Sequence, residues 1–278
     1  MLNMIGMAVS VGVLIAPYAL LHSLDTHSRT KFIILALTLA CAVLFWPLAL
    51  YFLLAAIVPA FIMWRLHQNK PADATHWLPI AIAPLPAFAA ILVLLALFAN
   101  ELSTLSSEAL DELYAYGTNV PSMGLPTRDK LGEAIASTIR ISPALVYVSV
   151  ALVFYFTERA YYAPQDREAR SRIIMPMSDL FIGLLLASVL LLALPYVIGD
   201  NTLVSAIGMN GLIIVVTLYF FRGLDIIRFH IARLRLSPFL MAAVYLLVLI
   251  YWPMLIAVAV VGFASVYVNI IRHEETKS

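Results

Sequence analysis

The sequence predicts an all-α fold, a polytopic helical membrane bundle of about nine spans. Three observations carry that expectation: too few charges to clothe a soluble core, apolar stretches of spanning length, and a one-sided distribution of Lys and Arg. Of 278 residues, 63% are hydrophobic and only 12% charged, with a mean hydropathy of +0.96. Soluble domains carry about 25% charged residues, so lipid must be the solvent for much of this surface. A net charge of +1 argues for neither nucleic acid nor an acidic partner.

Seven apolar stretches stand out: 3–22, 32–64, 78–99, 143–163, 174–199, 202–221 and 238–271. The first lacks the basic leader and small-residue cleavage site of a signal peptide and reads as a retained span. Five stretches fit the roughly 20 residues that a spanning helix needs. The stretches 32–64 and 238–271 are too long for that. As single helices each would be near 50 Å, against a hydrocarbon core of about 30 Å. Each has a Trp-Pro pair near its middle, Trp46-Pro47 and Trp252-Pro253. Tryptophan favours the interface and proline ends helices, so both read as proline-split short hairpins.

Charge counting supports this division. With both hairpins, fourteen of the seventeen Lys and Arg fall on one side, leaving Arg128, Lys130 and Arg140 on the other. The positive-inside rule then places the basic loops and the C-terminus in the cytoplasm, as expected for a bacterial inner membrane protein. The chain is read as one membrane domain, 1–278. An external insertion over 100–141 shows apolar residues at helical spacing (Leu102, Leu105, Leu110; then Leu131, Ile135, Ile139). It reads as two amphipathic helices, the second beginning after Thr127.

Residues Ala8, Gly12 and Ala16 place a small residue at every fourth position. In lipid, close backbone approach at small residues drives helix association, so this face should pack on an internal helix or a partner subunit. The span 202–221 contains Ser205, Gly208, Asn210 and Gly211 near its middle. Two glycines weaken the helix by roughly 1 kcal/mol each, and Asn210 must find a hydrogen-bond partner. Two readings stand: a ligand site of the kind transporters build at interrupted helices, or an interhelical hydrogen bond beside a packing notch. Asp179, just after Pro176, reads as a helix N-terminal acid or as a proton-coupling carboxylate, and is grouped with the ligand-site candidates.

The stretch 222–237 is basic and amphipathic. Arg222, Asp225, Arg228, Arg233 and Arg235 should lie on the cytoplasmic face against anionic lipid or a partner, with Arg222, Asp225 and Arg228 spaced for i, i+3 pairing. Cys41 is the sole cysteine, and no two histidines share a metal-binding spacing. No phosphate-binding loop, zinc-protease motif or nucleophile elbow is present. No enzyme, metal or cofactor is therefore expected.

In the C-terminal half, Ser-Pro-Ala-Leu-Val-Tyr (142–147), Met-Pro-Met-Ser-Asp-Leu (175–180), Tyr-Phe-Phe-Arg-Gly-Leu-Asp-Ile-Ile-Arg-Phe-His (219–230) and Val-Gly-Phe-Ala-Ser-Val-Tyr-Val-Asn-Ile-Ile-Arg (261–272) follow in order. Over roughly 140–272 the chain resembles the YybS-like family of bacterial membrane proteins, itself similar to the S components of energy-coupling-factor (ECF) transporters. The resemblance implies a membrane binding or transport subunit that depends on partner subunits. It also likens the ladder Ala8, Gly12, Ala16 to the alanine ladder by which S components meet their membrane partner. With little intramembrane charge, a small neutral or aromatic ligand is expected. The alternative is a membrane scaffold that organises a multi-subunit complex and binds no small molecule.

Overall fold

The computed structural model describes residues 20, 53–68, 77–118, 127–161, 175, 177, 179–199, 201–234 and 238–267. The described residues are almost all helical. The span 3–22 with its ladder Ala8, Gly12 and Ala16, and the first half of the hairpin 32–64, lie outside them apart from Leu20.

A π-helical turn, Leu53–Ile57, leads into α1, Val58–Gln68. Helix α2, Trp77–Ile82, and α3, Leu85–Leu97, form one apolar segment bent at Ala83 and Pro84. Prolines 84 and 86 remove N–H donors, and the freed end of α2 is partly satisfied by Tyr147, whose hydroxyl donates to Ala81 O at 2.9 Å. A bend at Phe98 leads to α4, Ala99–Thr118. Helix α5, Arg128–Tyr161, is 34 residues long, about 51 Å. Helices α6, Asp179–Ala193, and α7, Pro195–Ile198, precede a turn at Gly199. There φ of +94° suits glycine alone. Helix α8, Thr202–Arg233, opens with Asn201 Oδ1 accepting the N–H of Val204. Helix α9, Pro238–Ile250, is separated from α10, Trp252–Tyr267, by Tyr251 alone.

Among the described residues, four segments are long and apolar enough to cross a membrane: Leu78–Leu97, Arg128–Arg159, Asp179–Ile198 and Thr202–Ile231. Shorter apolar helices cover Leu53–Leu66 and Pro253–Tyr267. Of the apolar window in Asp179–Ile198 only 11% is buried. Leu180, Leu184, Leu186 and Leu190 face outward along it, which is stable where the surroundings are apolar.

Helix α8 is the hub. It packs against α5, α6 and α10 around a core that includes Tyr147, Phe154, Tyr155, Phe221 and Leu224. Tyr155 stacks on Phe221 with centroids 4.7 Å apart. Close approach comes from glycine, as expected between helices in lipid. A Cβ on Gly208 would meet the backbone of Leu192 at 2.9 Å, and one on Gly262 would meet the N of Gly223 at 2.8 Å.

Two boundaries differ from the sequence expectation. The amphipathic stretch holding Leu131, Ile135 and Ile139 is not a separate helix; it runs through Pro143 into the apolar stretch as α5. Likewise, α8 is uninterrupted from Thr202 to Arg233. It passes both the glycines of 208–211 and the basic stretch that begins at Arg222. The C-terminal stretch does divide at Tyr251, before Pro253, with α10 lying along α8.

Candidate functional site

Pro143 explains the first of two polar constructions. Within α5 it has no N–H for the carbonyl of Ile139, and its ring pushes that turn open. The hydroxyl of Ser142 donates to Ile139 O at 2.8 Å. One residue along, the N–H of Ala144 and the carbonyl of Arg140 are both engaged by Asn210. Its Oδ1 accepts from Ala144 N at 2.9 Å, and its Nδ2 donates to Arg140 O at 2.9 Å. The second Nδ2 hydrogen goes to Ala206 O at 2.8 Å, one turn back along α8. The carboxamide, only 5% exposed, therefore acts as a splice in the helix of α5.

Beside this splice lies a cavity of about 770 Å³ between α3, α4, α5 and α8. Its walls include Phe88 and Leu92 on α3, Leu102 on α4, Pro143 on α5, and Ile207 and Ile214 on α8. Asn210 and Gly211 belong to its wall; Ser205, Gly208 and Asp179 do not. Gly208 and Gly211 are packing positions against α6: a Cβ on Gly211 would lie 2.6 Å from Ser188 Oγ. Ser205 is half-buried, and Asp179 is exposed at the start of α6. About nine residues, roughly 14 Å, separate it from Ser188 along that helix. The structure thus brings two of the five expected ligand residues to a cavity. The walls from α3 and α4 had no local sequence signal, because an apolar face reads alike whether it lines a groove or meets lipid.

The second construction is ionic. Asp225, fully buried, accepts from Tyr155 Oη at 2.8 Å, Arg159 Nη2 at 2.5 Å and Met175 N at 3.0 Å. Arg222 donates to Met175 O at 3.0 Å and, through Nε, to Ser265 Oγ on α10 at 2.7 Å. One turn of α8 therefore holds both polar groups of the Met175 backbone, the N–H through Asp225 and the C=O through Arg222. Glu158 is also buried, 3.9 Å from Arg159 Nη1, and the Arg159 guanidinium lies over the Tyr155 ring.

This corrects the expectation of a solvated cytoplasmic face at Arg222, Asp225 and Arg228. Asp225 is in the core and pairs with α5 across the bundle. Arg222 and Arg228 are half-buried. The Arg233 side chain and Arg235 lie outside the described residues. The sequence alone suggests an amphipathic stretch between spans for these charges, and so gives no sign of Tyr155, Glu158 and Arg159 as their partners. The one available signal was Glu158-Arg159 at the end of an apolar helix, where an unpaired charge would be costly.

Among the described residues, no group of three or more His, Cys, Asp or Glu is placed to hold a metal. Comparisons with family models, curated proteins and solved structures find no match for this chain.

Proposed function

We propose that the chain is a membrane-embedded binding subunit, of the S-component kind, acting with partner subunits. It holds a small neutral or aromatic ligand between α3, α4, α5 and α8. The observation that carries this reading is the cavity of about 770 Å³ beside Asn210. Ligand pockets typically enclose about 300–1,000 Å³ and are mostly apolar with few polar groups. The motifs resembling the YybS-like family support the same class. In this proposal nine helices span a bacterial inner membrane, with the C-terminus cytoplasmic and α4 on the outer side.

Thermal shift of the purified protein against vitamin-like and aromatic compounds tests it. Filling the cavity with Ala206→Phe should abolish the stabilisation that a binding compound gives. Compounds that stabilise wild type and Ala206→Phe alike, or none that stabilise wild type, would overturn the reading. A scaffold without ligand would then stand.

A further inference from the structure

Of the described residues that line the cavity only Arg140 is charged. It is exposed, and among the described residues no carboxylate pairs with its guanidinium and no hydrogen bond from its side chain occurs. The carboxylates of α4, Glu101, Glu108, Asp111 and Glu112, and Glu133 two turns back on α5, are exposed and outside the cavity wall. Asp111 is already paired with Arg128. Ser103 and Ser106 line the wall opposite, and their hydroxyls donate to Asn100 O and Ser103 O of their own helix. Their oxygens keep lone pairs toward a donor, but they offer an anion little. Arg140 is the natural partner of any charged group in this cavity.

Its depth is also set by the fold. At about 1.5 Å per residue, the stretch of α5 from Arg140 to Arg159 is about 28 Å, close to the hydrocarbon thickness of about 30 Å. Were the hydrocarbon to begin at Arg159, Arg140 would fall at its other edge. Ile214 on α8, one turn beyond Asn210, continues the apolar wall in the direction of Arg159. In that placement the cavity offers a cation at the level of lipid headgroups and an apolar wall below it.

We propose that the ligand is an amphiphile with one anionic head and an apolar tail, taken from the bilayer. The head pairs with Arg140 and the tail lies along α3 and α8. This rests on the binding-subunit reading and replaces its neutral ligand with an anionic one. An arginine forms charge-assisted, often bidentate, bonds to carboxylate or phosphate oxygens.

The test uses the full chain in phosphatidylcholine nanodiscs at alkaline pH, with a pyrene-labelled long-chain fatty acid and the matching fatty alcohol as probes. The acid should bind saturably and about tenfold more tightly than the alcohol. Arg140→Gln should remove that preference while leaving alcohol binding unchanged, and Arg140→Lys should keep part of it. Ala206→Phe, or Ser103→Phe from the opposite wall, should weaken both probes. Equal binding of acid and alcohol to wild type would overturn the anionic head and leave the binding subunit standing. Saturable binding of neither would overturn both. Displacement by excess acetate would show a plain anion site and overturn the amphiphile.

Discussion

Gly223 on α8 and Gly262 on α10 meet backbone to backbone, so that a Cβ on Gly262 would fall 2.8 Å from the N of Gly223. The same Cβ would run into the carbonyl of Tyr219, and one on Gly223 into the carbonyl of Val258. Backbone cannot yield as a flexible side-chain tip does. Gly262→Ala should therefore separate α8 from α10 and cost about 1–3 kcal/mol. Gly183→Ala on α6, where a Cβ would meet nothing within 4 Å, is the matched control. Thermal unfolding in detergent checks the pair: equal stability of the two variants would refute the close crossing.

A second prediction concerns the splice. Asn210→Leu removes the acceptor of Ala144 N–H and the donor to Arg140 O, which costs about 2 kcal/mol. Pro143→Ala should let α5 close its own i→i−4 bond and make Asn210 partly redundant. The two changes together should then be less destabilising than their sum, with a coupling of about 1 kcal/mol. Strict additivity in a double-mutant cycle would show that Asn210 has some other role.

The buried ion pair gives a third. Asp225→Leu leaves Arg159 without its carboxylate and should cost about 3–5 kcal/mol. Replacing both, Asp225→Leu with Arg159→Met, removes the stranded charge and should recover much of the loss. Denaturant titration in micelles measures it. A double variant no more stable than Asp225→Leu alone would argue against direct pairing.

The fourth prediction tests orientation. In a Cys41→Ala background, Glu108→Cys on the exposed face of α4 should react with an impermeant thiol reagent added outside whole cells. A tag after residue 278 should be reached only after permeabilisation. The reverse pattern would invert the topology drawn from the positive-inside rule.

How much of this was legible in the sequence depended on whether a feature is local. The apolar segments Leu78–Leu97 and Asp179–Ile198 could be read directly, because length and hydropathy are properties of a single stretch. The requirement that Asn210 find a partner was also readable, since a lone amide in hydrocarbon is costly. Which partner it finds was not: Ala144 lies 66 residues away, and nothing near Pro143 announces that its helix will be mended from elsewhere. Pro143 therefore suggested a boundary where α5 runs on. Asp225 misled in the opposite way. Its flanking arginines look like a solvated helix face, and only the crossing of α8 with α5 brings Arg159 and Tyr155 onto it.

The splice at Pro143 also bears on how the chain is made. Helices of a membrane protein can insert first and associate afterwards. Synthesis runs from the N-terminus, so Ala144 and Arg140 reach the bilayer before Asn210 exists. Until α8 arrives, the N–H of Ala144 and the C=O of Arg140 lack the carboxamide that later bridges them. A nascent chain ending near residue 200 would keep that gap, whereas one ending past residue 233 could close it. The asparagine thus sets an order of assembly: the fifth helix is completed by the eighth.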